Sequence, residues 1–223
     1  MGTTLKALKD QIIIDNNISG NVNFPDLRLN RLINLAQRYV QTQLNGLGMK
    51  KWESSAPLTL TAGTFVGVPI KSAPVPTNMA ESPKAVKFID VSNGISNGLA
   101  FEIGENLFFE NITNSFLTPT ISKPKFMRLA NNLYLSPSSI TSGTVYFYKV
   151  VSDLSNDADT SEVPPEFDDN ILKHVAIAID GINGKLQDKQ LALAELDKDI
   201  SSQFEKFVNK QAVQKQNENQ QLQ

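Results

Sequence analysis

The chain has 223 residues and a formal net charge of −2, from 21 lysines and arginines and 23 aspartates and glutamates. It contains no cysteine and a single histidine, His174, which excludes disulfides, thiolate metal sites, a cysteine nucleophile and a multi-histidine metal site within one chain. The charge balance gives no global basic field for nucleic acid, and without a run of about 18 apolar residues no transmembrane helix is expected. The first residues match neither a signal peptide nor the myristoylation pattern, so we expect a soluble protein of intracellular type.

Residues 1–52 are predicted to form N-terminal helices. The first is short, begins at an N-cap on Thr3 or Thr4 and runs to about Ile14. Its apolar residues fall on one face at helical spacing. They are Leu5, Leu8 and Ile12.

The second helix has the strongest pattern in the chain. Asn23 is its predicted N-cap, with Pro25 and Asp26 in the first turn, where a missing N–H is harmless and a carboxylate suits the helix dipole. Gly46 and Gly48 are predicted to end it. An apolar stripe at 3.6-residue spacing predicts that one face is mostly buried in the core. The stripe comprises Leu29, Leu32, Ile33, Leu35, Ala36, Tyr39, Val40, Gln43 and Leu44.

Residues 53–152 are predicted to form a β-rich region, because short runs rich in Val, Phe, Tyr and Thr alternate with turn-forming residues. Asn131 and Asn132 indicate a tight hairpin, since asparagine tolerates a positive φ. The last run, 143–152, is apolar on both faces, as in a central strand. Segments 64–83 and 112–124 are poorly patterned, so we interpret them as extended loops or arms, at least one of which contacts a neighbouring subunit. The runs are 58–61, 64–68, 85–91, 99–103, 125–130, 133–136 and 143–152.

Residues 153–210 are predicted to complete the helical core. An acidic loop over 153–162 precedes a helix that opens at Asp168 or Asp169 and breaks at Gly181 and Gly184. Its apolar residues are Ile171, Leu172, Val175, Ala176 and Ile179. A long amphipathic helix follows over 185–210, with an apolar stripe that includes Leu186. The polar tail 211–223 is expected to be ordered only by a partner. The order of elements predicts an α+β fold, with helices at both ends and a central antiparallel β-rich region bearing long loops.

No pattern in the sequence indicates catalysis, a cofactor or a metal. His174 lacks a nucleophile and an orienting carboxylate in a recognisable motif. The acidic loop fails the EF-hand pattern, because counting from Asp153 places Ala158 sixth and Pro164 twelfth. Phosphate-binding glycine motifs are missing. The cluster at residues 50–52, two lysines and a tryptophan, is more typical of a helix end that packs its indole on the core than of a nucleic-acid platform.

Several segments together resemble the adaptor, or neck-ring, proteins that connect head to tail in tailed bacteriophages. These segments are NFPD at 23–26, RLINLAQRYVQ at 31–41, GTVYFYKVV at 143–151 and VPPEFDDNILKHVA at 163–176. The resemblance follows the order of elements from residue 20 to 210 and matches residue by residue only over 24–44 and 143–178. The composition, rich in asparagine and free of cysteine, would suit a crAss-like phage. The β-rich region is larger than in small helical adaptors, which leaves the connector layer open.

The resemblance implies a structural virion protein at the portal vertex, or neck, made in the bacterial host cytoplasm. It implies a ring, usually of twelve copies, beneath the portal and around the DNA channel, with no active site. The implied partners are copies of the chain, the portal protein, a downstream tail or second ring protein, and genomic DNA that passes without sequence-specific binding; no membrane is involved.

The long C-terminal helix is the predicted docking element for the portal or a neighbouring ring. Its predicted anchors are Leu193, Leu196, Ile200, Phe204 and Phe207. Two other functions stay open. One is another virion component, such as a tail or stopper protein. The other is a hydrolase that uses Glu102, Glu105 and Glu110, which would require these carboxylates to converge in space.

Overall fold

The computed structural model describes residues 2–80, 85–185 and 188–221, with side chains to residue 214. Two compact units form the chain. The helical unit joins Met1–Lys50 to Val151–Gln223, and the sheet unit is Lys51–Val150. The predicted α+β class is confirmed, because helices lie at both ends of the chain and an eight-stranded sheet lies between them in sequence.

Four long helices build the helical unit: α1 Leu5–Asp15, α2 Asp26–Gly46, α4 Asp168–Ile182 and α5 Lys189–Gln221. α2 packs against α4 and α5, and α1 packs against α4 and α2. Thr4 is the N-cap of α1, and its hydroxyl accepts a hydrogen bond from the Ala7 N–H at 3.2 Å. The predicted apolar face of α1 is buried, which confirms both the start and the orientation of this helix.

The start of α2 differs from the prediction. Pro25, not Asn23, is the N-cap, and its backbone is extended. With Asn23 as the cap, Phe24 would have to be helical, and a proline ring clashes with a helical residue before it. Phe24 instead closes a turn by donating its N–H to the Asn21 carbonyl at 3.0 Å.

The stripe on α2 is confirmed only in part. Leu29, Ile33 and Val40 are fully buried, but Leu35 is 45 % exposed and Leu32 is half-buried. The expectation of a buried Leu35 is therefore wrong. Gln37 and Gln41 are buried instead, which hydropathy could not predict, because partners from a distant loop satisfy their amides.

The sheet has the strand order β1-β8-β4-β5-β6-β7-β3-β2, and every neighbouring pair is antiparallel except β5 and β6. β8 lies between β1 and β4, which confirms its prediction as a central strand. The strands are β1 Glu53–Pro57, β2 Thr61–Phe65, β3 Val68–Pro74, β4 Val86–Ser92, β5 Asn97–Glu102, β6 Lys125–Leu129, β7 Asn132–Ser136 and β8 Ser142–Tyr148.

A helix that the sequence did not predict, α3 Glu105–Thr113, covers part of one sheet face. Phe108 and Ile112 pack there against Met127 and Ile70. The adjacent residue Phe126 points into the main core on the opposite face, as strand alternation requires. A nine-residue helix buries only two apolar side chains, which is too weak a periodic signal to recognise from sequence.

The interpretation of segment 64–83 as an arm is wrong for its first part. β2 and β3 form a hairpin there, turning at Val66 and Gly67, and β3 also pairs with β7. Residues 81–84 lie outside the described residues. In segment 112–124, the first two residues end α3, whereas 114–124 form an irregular loop as predicted.

The hairpin predicted at Asn131 and Asn132 is confirmed between β6 and β7, where Leu129 pairs with Asn132. The residue with the positive φ is Ala130, at 51°, and not an asparagine. The fold accepts this strain because the paired strands on both sides determine where the chain must reverse.

The C-terminal helices differ from the prediction in their bounds. α4 opens at Asp168 as predicted, but it passes through Gly181 and ends only before Gly184, whose φ is 68°. α5 begins after Asp188, whose carboxylate accepts the Leu191 N–H at 2.9 Å as an N-cap does. It continues to Gln221, so the predicted boundary at residue 210 is wrong, and Leu186 lies outside the described residues.

Candidate interaction surfaces

Amide side chains of α2 hold the acidic loop against the helical unit. Asn34 exchanges two hydrogen bonds with the backbone of Leu154, accepting its N–H at 2.9 Å and donating to its carbonyl at 3.1 Å. Gln41 accepts the Val151 N–H at 3.0 Å. These bonds provide partners for backbone N–H and C=O groups of the loop that would otherwise be unpaired near the core.

A buried polar pair lies one turn from Asn34. The Ser161 hydroxyl donates to Gln37 Oε1 at 2.8 Å and accepts the Val163 N–H at 3.1 Å. Gln37 donates in turn to Asn34 Oδ1 at 3.1 Å. The acidic loop is therefore a fixed part of the helical unit.

The carboxylates of this loop bond within the chain. Asp157 pairs with the buried Lys9 at 2.5 Å, and Asp153 accepts two bonds from Arg38 at 2.8 and 3.0 Å. Asp159 accepts two backbone N–H groups of its own loop, which lowers the pKa of its carboxyl. Among the described residues no group of histidines and carboxylates could hold a metal ion.

His174 lies on α4 beside Tyr39, with ring centroids 4.5 Å apart. Burial and the nearby Lys189 lower the pKa of its imidazole, and Asp197 opposes them. The Tyr39 hydroxyl donates to Asp197 at 2.6 Å. His174 thus occupies a packed junction of α2, α4 and α5.

The predicted docking anchors on α5 differ in burial. Leu196 and Ile200 are buried inside the helical unit, so they are not available to a partner in this conformation. Leu193 and Phe204 are half-buried, and Phe207 packs edge-on against Phe167 at 5.8 Å. Beyond Phe207, Val208 and Val213 are exposed.

The other candidates from the sequence do not assemble into sites. Glu105 and Glu110 are both exposed on α3 and lie about 140° apart around it, and Glu102 lies at the end of β5. Trp52 is fully buried with Lys51 Nζ 5.9 Å from its ring, so its indole is not a stacking platform.

A groove that the sequence did not predict runs along the outer side of α2. It encloses about 480 Å³ between this helix and residues 153–155. Leu27, Arg31 and Leu35 form its outer wall at helical spacing, and Leu27 is 82 % exposed. Arg31 has no ion-pair partner among the described residues. We call this surface the α2 groove.

A second exposed apolar surface is formed by α3 and the turn after it. Phe116 is 95 % exposed on an ordered turn in which Asn114 accepts its N–H at 3.0 Å, and Asn114 also accepts from Leu117 and Thr118. We call this surface the α3 knob. It comprises Leu107, Phe109, Glu110, Phe116 and Leu117.

The family model of the SU10 adaptor protein matches residues 3–220. The chain belongs to this family. SU10 adaptors are structural phage proteins rather than enzymes, so this adaptor is a component of the phage particle. No curated protein matches it. None of the adaptor's described helices has the length and apolarity needed to cross a membrane.

For a structural adaptor, interaction surfaces take the place of an active site. The α2 groove and the α3 knob, which combine exposed apolar residues with charge, were not predicted from the sequence. One signal was available: Leu27, Arg31 and Leu35 follow a second stripe on α2, four residues apart, on a side that differs from the buried one.

Proposed function

We propose that this adaptor forms a closed ring, of twelve copies, that joins the portal of the capsid to the tail and surrounds the DNA channel. The family match over residues 3–220 is the observation that carries the proposal. The phage is a tailed one, and the cysteine-free composition favours the crAss-like group.

The exposed apolar residues support assembly into a larger complex. Isolated exposed leucines are ordinary, but Phe116 and Leu27 are large, almost fully exposed and rigidly placed on an ordered turn and a helix. Such side chains are typical of protein interfaces. A ring requires two different complementary surfaces on each copy, because its contacts are heterologous.

The free end of α5 is the proposed contact with the portal. After Phe207 the described side chains are exposed, yet the helix continues to Gln221. A polar helix gains little from its own packing, so a partner groove is the expected source of its stability. Val208 and Val213 replace Leu196 and Ile200 as the proposed anchors, because the latter are buried in the helical unit.

The proposed ring guides DNA without reading its sequence. The net charge of −2 provides no strong counterion-releasing surface, and a neutral to negative lumen lets the genome slide. Binding should therefore be weak, independent of sequence and only slightly dependent on salt.

Co-expression of the adaptor with the portal protein of the same phage tests this function. Electron microscopy of the purified complex should show one adaptor ring beneath each portal, with the portal's symmetry or a simple fraction of it. An adaptor that stays monomeric both alone and with the portal would contradict the proposal. So would a location in the tail away from the portal.

Two truncations separate docking from folding. Deleting residues 208–223 should leave the helical unit folded and abolish joining to the portal. Deleting residues 185–223 should instead destabilise the chain, because it removes Leu196 and Ile200 from the core. If the shorter deletion still joins portals normally, the docking role of the α5 end is wrong.

A further inference from the structure

We propose that the α3 knob of one copy inserts into the α2 groove of the next copy and forms the subunit contact of the ring. The inference rests on the ring proposed above and names the two surfaces that would close it. The groove lies on the helical unit and the knob on the sheet unit, so one copy carries both halves of a heterologous contact.

Charge complementarity identifies the occupant of the groove as a second copy. The outer side of α2 presents Arg31 in its second turn and Arg38 near its middle, and only Arg38 is paired, to Asp153. The knob presents Glu110 in the last turn of α3, where no basic residue offsets the negative end of the helix dipole. A cationic groove thus faces an anionic knob.

The apolar parts of the two surfaces also match. Leu27 and Leu35 lie four residues before and after Arg31 in the groove. In the knob, the exposed Leu107 lies three residues before Glu110 on α3, and the exposed Phe116 lies in the turn that follows. The groove volume of about 480 Å³ falls in the range of about 300–1,000 Å³ of clefts that bury ligands, so it can accept the ring of Phe116. A buried aromatic side chain surrounded by a charged rim is the usual arrangement of an interface hot spot.

Two residues that line the groove carry unsatisfied polar atoms. Asn30 Oδ1 and Arg38 Nε are buried and have no hydrogen-bond partner among the described residues. The knob is presented in a fixed conformation, because three hydrogen bonds to Asn114 define its turn. A preorganised knob loses little conformational entropy when it docks.

Charge reversal tests the contact in full-length protein. Arg31→Glu and Glu110→Arg should each weaken self-association at least tenfold, measured by mass photometry and sedimentation, without changing the unfolding temperature. Arg31→Lys is the matched control and should assemble nearly as the wild type does. Phe116→Ala should weaken assembly in the same way as the reversals.

Two combinations make the test specific. The double variant R31E/E110R should regain assembly, and a mixture of the two single variants should form alternating rings although neither assembles alone. Failure of both combinations, or wild-type assembly of the single variants, would overturn the inference. So would a R31E ring that forms normally but no longer joins the portal, because the groove would then hold the portal.

Crosslinking provides an independent result, since the chain has no cysteine of its own. Leu27→Cys and Ser115→Cys together should give a ladder of multimers with a short bis-maleimide, whereas each alone should not. Wild-type rings without such a ladder would overturn this contact and leave the ring function standing. A wild-type chain that never assembles, alone or with the portal, would overturn both.

Discussion

Tyr39 on α2 and Asp197 on α5 are joined by a hydrogen bond of 2.6 Å between the phenol hydroxyl and Oδ1. The two residues are 158 positions apart in the chain. The pKa of Tyr39 is raised to about 12, mainly by burial and secondly by the hydrogen bond to Asp197. This hydrogen bond thus joins α2 to α5, and the sequence of neither helix by itself indicates the pairing.

Tyr39→Phe should lower the free energy of unfolding by about 1 kcal/mol, the usual net value of one hydrogen bond. Because the native pKa of Tyr39 lies above the unfolded value, its contribution is complete below pH 10 and is lost as the pH rises towards 12. Urea unfolding of both proteins at pH 8 and pH 11 measures this. An equal difference at both values would contradict the pKa shift.

His174 should make the adaptor less stable in mild acid. Burial lowers its native pKa, so below about pH 6.5 the unfolded chain takes up a proton that the native chain does not. His174→Gln should therefore lose less stability than the wild type between pH 7.5 and pH 5. Asp168, whose carboxyl pKa is raised by burial, titrates in both proteins and cancels in the comparison.

The same melting curves can refute this expectation. Identical acid-induced losses in the wild type and His174→Gln would mean that the imidazole is as accessible to protons in the native state as in the unfolded one. Lys173→Gln is a suitable control, because Lys173 neighbours His174 in sequence but is exposed and pairs with Asp199.

Two substitutions that are two residues apart on α2 should differ in their effect on stability. Ile33→Ala removes a fully buried side chain and should cost about 2–4 kcal/mol of unfolding free energy. Leu35→Ala removes one that is 45 % exposed and should cost about 1 kcal/mol or less. Chemical denaturation of the monomer compares them. A larger loss at Leu35 than at Ile33 would mean that the buried face of α2 is misplaced.

The Gln37–Ser161 pair should stabilise the fold, because each buried side chain provides a hydrogen-bond partner for the other. Gln37→Leu leaves the Ser161 hydroxyl without its acceptor and should cost about 1–3 kcal/mol. Ser161→Ala should be similar, and the double variant should cost less than the sum of the two, by about 0.5 kcal/mol or more. Strict additivity in this double-mutant cycle would show that the two groups act independently.

The helices with a clear apolar period were predictable from local patterns. The face of α1, the existence of α2 and the buried Ile171, Val175 and Ile179 of α4 follow from residue spacing, because a 3.6-residue period has one physical explanation in a helix. The hairpin at residues 130–131 and the central place of β8 were likewise readable. Each of these features depends on residues close to one another in the chain.

Partners distant in sequence decided the rest. Gln37 and Gln41 are buried because the Ser161 hydroxyl and the Val151 N–H donate hydrogen bonds to their amide oxygens, and no local pattern contains that loop. Leu35 is exposed on the same helix. Segment 64–74 became a hairpin because β7 offers it an edge with which to pair. Leu196 and Ile200 are buried in the core of their own unit, whereas Val208 and Val213 farther along α5 are exposed.

The amino-acid sequence by itself determined the adaptor family and the α+β class, because both follow from the order of its helices and strands and from the spacing of its apolar residues. The tertiary structure decided which apolar residues remain exposed. That outcome depends on competition among all buried surfaces of the folded chain, and it left Leu27 and Phe116 uncovered on rigid supports. A hydrophobic pattern indicates that a residue favours burial. Only the packed fold determines whether other residues of the same chain bury it.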